Sequence, residues 1–185
     1  GLPVTYNNGT NPQFKGYATL ASEWENRDNR MRYTLAKPGD TFWDNSSKGC
    51  RLTWNDASDQ NHAVHTDFIP RSGTGYHNQK WASEREVKDN FEGYDYPIIR
   101  YAEVLLNYAE AVYERDGKIE DADLNLSLNL VRTRVNPNMP GLTNKLVNDN
   151  GLSMREEIRR EGTVELFHEG FRLDDLKRWK TAETE

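Results

Sequence analysis

Tyr96-Pro97-Ile98-Ile99-Arg100-Tyr101-Ala102-Glu103-Val104-Leu105-Leu106-Asn107-Tyr108-Ala109-Glu110-Ala111 is the most ordered stretch of this sequence, and its reading sets the fold class. Apolar residues follow one another almost without interruption to Tyr113, and no Gly or Pro intervenes between Pro97 and Gly117. The Ala and Leu content favours helix over strand. Pro97 suits a first helical turn, and Gly117 suits the position just past the last one. Apolar side chains on nearly every side predict a helix buried between neighbours.

Downstream, a second helix is expected after Glu120, with Asp121 or Asp123 as its cap. Leu124, Leu128, Val131 and Val135 recur at helical spacing, whereas Leu124, Leu126, Leu128 and Leu130 alternate as a strand would. Length and the flanking helices decide for helix, ended by Pro137 and Pro140. Two such helices joined by a short turn make an antiparallel pair of the TPR kind. One pair cannot bury both of its faces, and the chain holds no second copy of the pattern. A third helix opens on the capping box Ser153-Met154-Arg155-Glu156 and extends to about Glu169. Gly162 sits inside it at a cost of about 1 kcal/mol against Ala. Gly170 breaks it, and a short helix over 171–180 follows, with Leu173, Leu176 and Trp179 along its apolar edge. Residues 181–185 read as frayed.

Upstream, residues 1–95 are rich in Asn, Asp, Ser, Thr and Gly. Asn7-Asn8-Gly9, Pro38-Gly39-Asp40, Asn45-Ser46-Ser47 and Ser72-Gly73-Thr74-Gly75 are turn signals. Residues 17–27 suit a short helix and residues 31–36 a short strand. The expected architecture is mostly α: a TPR-like helical pair plus C-terminal helices with long irregular loops. It forms one domain over 1–185, loop-rich over 1–95 and helical over 96–185.

Composition narrows the function. Only 35% of the 185 residues are hydrophobic, and the mean hydropathy is -0.95, which leaves a thin core and much loop surface. Five Trp and nine Tyr still supply rigid, half-polar contact area. A formal net charge of -6 argues against nucleic acid and against an anionic membrane surface, and leaves neutral ligands or cations open. Cys50 is the single cysteine, so no intrachain disulfide forms. No apolar run approaches the roughly 18 residues a membrane span needs. Gly1-Leu2-Pro3 does not open a signal peptide, so an export signal would have been removed or would lie upstream.

Catalytic patterns are scarce. Glu169, Asp174 and Asp175 offer a glycosidase-like carboxylate pair. Arg172, Lys177 and Arg178 lie beside them, however, and Arg159 and Arg160 flank Glu161 and Glu165, which favours ion pairs. His62 and His65 are three apart, with Asp59 and Asp67 nearby, but no metal-binding spacing such as HExxH is present. Asp40, Asp44, Asp56 and Asp59 lack the EF-hand spacing for calcium. Cys50 has no catalytic partner pattern, Gly73-Thr74-Gly75 is not a phosphate loop, and no cofactor motif appears. The remaining constellation is aromatic: Phe42-Trp43, Trp54, Tyr76 and Trp81 stand in polar loops. Aromatic faces stack on the C–H face of sugar rings while Asn, Asp and Arg bond the hydroxyls. Trp43, Trp54, Tyr76 and Trp81 are therefore the candidate ligand contacts, and packing of loops onto the helices is the alternative use of the same rings.

The stretch 96–111 resembles the "piiRyAEvLLnyAEA" helix of SusD/RagB proteins. Ile158-Arg159-Arg160-Glu161, Glu165-Leu166, Glu169-Gly170-Phe171-Arg172 and Asp174-Asp175-Leu176-Lys177-Arg178-Trp179 resemble that family's closing signature. Asn26-Arg27-Asp28-Asn29-Arg30-Met31 is similar to its "RDPRL" element, and Thr74-Gly75-Tyr76 with Lys80-Trp81 to its "tGY…K" element. Gly162 stands where the family usually has Arg, and Asn29 where it has Pro. The resemblance implies a mostly helical, non-catalytic lipoprotein on the outer face of the outer membrane of Bacteroidetes. Such a protein captures an oligo- or polysaccharide and lids a TonB-dependent transporter barrel. It further implies that this chain is the C-terminal part, without the lipidated cysteine and the first helical pairs, so any membrane attachment would be through an anchor absent here. Arg100, Glu103, Glu110, Arg172 and Asp175 read as structural, and Trp81 as the weakest contact because it lies in a recurring element. Two other readings stand beside glycan capture: a TPR-like protein-interaction domain, and a glycoside hydrolase.

Overall fold

The structure is a computed structural model. It describes residues 2–7, 9–36, 41–42, 50–51, 76–81, 93 and 95–183, with backbone alone at 41–42, 50–51 and 77. The chain divides into two compact units, Gly1–Arg30 with Pro97–Glu185, and Met31–Tyr96.

In the first unit, β1 (Thr5–Tyr6) pairs antiparallel with β2 (Gly9–Thr10), and α1 (Leu20–Trp24) follows. Thr19 and Ser22 close a reciprocal capping box on α1, so helix occupies only the middle of the expected 17–27. α2 (Asn29–Thr34) starts here. The expected strand over 31–36 is corrected: its first four residues are helical, and only Leu35–Ala36 is strand. The Asp28 carboxylate accepts from the backbone N–H of Arg30 at 2.9 Å and satisfies a donor of the first turn, which starts the helix.

The long helix is α3 (Tyr101–Asp116), stopped by Gly117 in the left-handed conformation at φ 69°. It begins later than Pro97 suggests: Arg100 is extended, and Ile98 and Ile99 stand exposed before it. The expectation of burial on every side is also corrected. Ala102, Leu105, Leu106, Ala109 and Val112 are buried, while Tyr101, Val104 and Tyr108 face outward.

The second helix is two pieces, α4 (Asp121–Asn125) and α5 (Leu128–Val135). Ser127 departs from helical geometry at φ -131°, ψ -101°, and its hydroxyl donates to the carbonyl of Asp123. Asn129, almost fully buried, then stitches the next loop: its Nδ2 donates to the Leu142 carbonyl at 2.9 Å and its Oδ1 accepts from the Leu142 N–H at 2.7 Å. α6 (Asn144–Asp149), which no sequence pattern announced, is capped by Thr143. α7 (Met154–Glu165) is capped by Ser153 as expected but ends before Glu169, and α8 (Arg172–Trp179) follows. α3 packs against α5 and α7. Their apolar faces meet around Leu105, Leu106, Ala109, Leu128, Val131 and Ile158.

In the second unit β3 (Leu35–Ala36) pairs antiparallel with β6 (His77–Asn78), and β4 (Thr41–Phe42) with β5 (Cys50–Arg51).

Candidate functional site

The carboxylates that suggested hydrolytic chemistry, Glu169, Asp174 and Asp175, and the nearby Glu161 and Glu165 all have basic partners in the first unit. Glu161, 1% exposed, meets Arg30 at 2.7 Å through one oxygen and Arg132 Nε at 2.8 Å through the other. Glu165, 3% exposed, takes Arg30 at 3.2 Å, Arg100 at 3.0 Å and Arg134 at 2.7 Å. Glu169 accepts a two-pronged bond from Arg100, both arms 2.7 Å. Burial pushes the Glu161 carboxyl up, but Arg30 and Arg132 outweigh it and hold it below the ordinary carboxylate value. Burial likewise pushes the Asp28 carboxyl up, and Arg30 outweighs it and holds it below the ordinary carboxylate value. A general acid needs the opposite shift, a raised pKa. Asp175 pairs with Arg178 at 2.8 Å and the exposed Asp174 with Lys177 at 3.6 Å. Glu110 accepts from Arg178 and from the Trp179 indole at 2.7 Å. The guanidinium groups of Arg159, Arg172 and Arg178 lie 4.7–5.7 Å from the Trp179 ring. Arg100, Glu110, Arg172 and Asp175 are therefore parts of a brace that ties α2, α3, α5, α7 and α8 together. Its polar chemistry is spent on the scaffold.

Two of the four aromatic candidates lie in described residues. Tyr76 immediately precedes β6 and is half-buried, and Trp81 follows the strand. Trp81 has φ 71°, a left-handed conformation that a bulky residue adopts only at a cost of about 1–3 kcal/mol. Its ring is tilted against Tyr96 at a centroid distance of 5.3 Å, and the Lys80 ammonium lies 5.9 Å from it. Gln79 anchors the segment: its N–H donates to the Thr34 carbonyl at 2.8 Å and its Nε2 to the Leu35 carbonyl at 3.1 Å. Tyr76 and Trp81 thus lie at the two ends of one short, anchored segment, with the Tyr96 ring against Trp81. Trp43 and Trp54 lie outside the described residues, as do His62, His65 and Asp40, Asp44, Asp56 and Asp59. Among the described residues no group of three His, Cys, Asp or Glu side chains is placed to hold a metal.

Sequence reasoning missed Tyr96 as the ring beside Trp81, because it read that residue as the start of a helix. It also missed a groove at the end of α7, lined by Gly162, Phe167 and Phe171 among others. Gly162, read as a cost to the helix and as a departure from the Arg usual in the family, was the one available signal.

A family model described as the SusD family matches residues 4–185. The chain belongs to the SusD family. The mostly helical architecture is that of a SusD-like fold. The SusD family is known for glycan binding and nutrient uptake, and its proteins are generally non-catalytic binders and typically outer-membrane lipoproteins. Comparison with curated proteins and with solved structures returns no match.

Proposed function

We propose that this SusD-family chain captures a neutral glycan at the cell surface, without acting on it chemically, and delivers it to a TonB-dependent outer-membrane transporter. The observation that carries the reading is the family match across 4–185. The net charge of -6 supports a neutral ligand over an anionic one. The engagement of Glu161, Glu165 and Glu169 by arginines supports binding without hydrolysis. Trp43, Trp54, Tyr76 and Trp81 are the proposed sugar contacts. The proposed location is the extracellular face of the outer membrane, with a lipid anchor in the full-length protein; no described helix is long and apolar enough to cross a membrane.

Titration with soluble starch, xylan, inulin and α-mannan, read by tryptophan fluorescence, tests the binding half. A saturable change with at least one polysaccharide is expected, and silence with every one defeats it. A gene for a TonB-dependent transporter beside this one, and co-purification of the two products, test the delivery half. A second reading, a TPR-like protein-interaction domain, is favoured by one observation: Tyr101, Val104 and Tyr108 form an exposed apolar face on α3. A partner protein bound through that face, with no response to any glycan, would favour it.

A further inference from the structure

The chain passes between its two units twice, after Arg30 and after Tyr96. One buried carboxylate is bonded at both crossings. Arg30 meets Oε2 of Glu165 at 3.2 Å, and Arg100 meets Oε1 at 3.0 Å. Glu165 is 3% exposed and ends α7, the helix that packs against α3. The ends of residues 31–96 are therefore held together on the helical unit. The first crossing is fixed further by Asn29, whose Nδ2 donates to the Val135 carbonyl at 3.1 Å, and by Asp28, which meets Arg30 at 2.7 Å. The second is fixed by the two-pronged bond from Arg100 to Glu169.

Both crossings lead by short paths to the same pair of rings. From Arg30 the chain runs through α2 into β3, and β3 pairs with β6. Gln79, just past β6, is bonded to Thr34 and Leu35, and Trp81 follows it. On the other side only Pro97, Ile98 and Ile99 separate Tyr96 from Arg100. The rings of Trp81 and Tyr96 then meet at 5.3 Å. The two paths that leave Glu165 thus close at this pair. Trp81 is also held at φ 71°, a conformation that a bulky residue keeps only where its surroundings enforce it.

We propose that Glu165 is a positioning residue for glycan binding at Trp81: by holding the ends of residues 31–96 together, it sets the Trp81–Tyr96 pair on which a sugar ring stacks. The proposal rests on the glycan-capture reading above, with Trp81 as a contact, and adds what keeps that contact in place. Stacking needs a ring face already fixed, because a loose side chain must be ordered when the ligand binds. Glu165→Gln breaks the bridge. Its amide oxygen can accept from one arginine, but its amide N–H groups face the other donor to donor. Glu161→Gln is the matched control. Glu161 is as deeply buried and also holds Arg30, but its second partner is Arg132 on α5 and not Arg100. Arg100→Lys is the second variant, since a lysine cannot reproduce the fork that reaches Glu165 and Glu169 together.

The test is affinity electrophoresis of the full 185-residue chain and the three variants in gels containing soluble starch, xylan, inulin or α-mannan, each variant first checked for helical circular dichroism. Fluorine NMR of the fluorotryptophan-labelled chains, with the Trp81 line assigned by Trp81→Phe, reads the ring pair itself. Retardation of the parent by at least one polysaccharide is expected. Affinity should fall about tenfold in Glu165→Gln and Arg100→Lys, the cost of re-ordering two loosened rings on binding. The Trp81 line should shift or broaden in the same two variants, and Glu161→Gln should match the parent in both readouts. Parent-like affinity and an unmoved Trp81 line in whichever of Glu165→Gln and Arg100→Lys folds overturn the positioning role and leave glycan capture standing. An equal loss in Glu161→Gln overturns it too, since that loss reports general loosening. No retardation of the parent in any gel overturns both readings.

Discussion

Glu161→Gln tests the buried brace at its centre. The carboxylate is 1% exposed and neutralises two guanidiniums, Arg30 at 2.7 Å and Arg132 at 2.8 Å, the latter also 1% exposed. The amide removes the charge and keeps the volume, so cavity formation is a minor part of the cost. What remains is Arg132 buried with one carboxylate at 3.7 Å, that of Glu157, which Arg160 already engages. Breaking a buried pair by removing one partner costs about 3–5 kcal/mol. Arg30 retains Asp28 and Glu165, which places the expectation near the lower end, about 3 kcal/mol. With a urea dependence of about 2 kcal/mol per molar, the unfolding midpoint should fall by about 1.5 M. The assay is urea unfolding followed by circular dichroism of the helices. Adding Arg132→Met should recover part of the loss, because the double variant no longer buries an unpaired charge. A midpoint shift below about 0.5 M, or strict additivity of the two substitutions, would refute the reasoning.

Three further outcomes are expected. The folded-state pKa values of Glu161, Asp28 and Glu110 are all lowered, so their stabilisation is fully present above the unfolded value near 4 and is lost as pH falls through the depressed one. Urea midpoints should thus be flat from neutrality to about pH 5 and drop below about pH 4; a drop beginning near pH 6 would contradict this. Gly117→Ala forces a Cβ into a left-handed cap at φ 69° and should cost about 1 kcal/mol in thermal or urea unfolding. Trp81→Ala should weaken glycan binding measured by fluorescence-independent calorimetry while leaving the helical circular dichroism of the chain intact; unchanged affinity would remove Trp81 from the contact set.

The helical part of the fold was legible where one local rule governed. Gly117 ends α3 because only glycine takes φ 69° without strain, and Ser153 starts α7 because its hydroxyl accepts from the Glu156 N–H. It was illegible where two patterns competed. Met31, Tyr33 and Leu35 alternate with polar neighbours as in a strand, yet the Asp28 side chain starts a helix there. The alternation of Leu124 to Leu130 hid a helix broken at Ser127. The acids beside basic residues in sequence were rightly read as ion pairs; Asp174 and Asp175 pair with their neighbours Lys177 and Arg178, but Glu161, Glu165 and Glu169 pair with distant arginines. Arg30 reaches Glu165 across 135 positions, and Arg100 reaches Glu169 across 69. The groove left the weakest trace, since its shape depends on a side chain that Gly162 lacks and on a left-handed His168, neither of which has a periodic pattern.

Non-catalytic glycan capture is tested most directly by isothermal titration of the 185-residue chain with neutral polysaccharides, with reducing sugar assayed in the same cell afterwards. Saturable heat with at least one polysaccharide and no release of reducing ends is the expected result. No heat with any polysaccharide, or sugar release that disappears in Glu169→Gln, would contradict it.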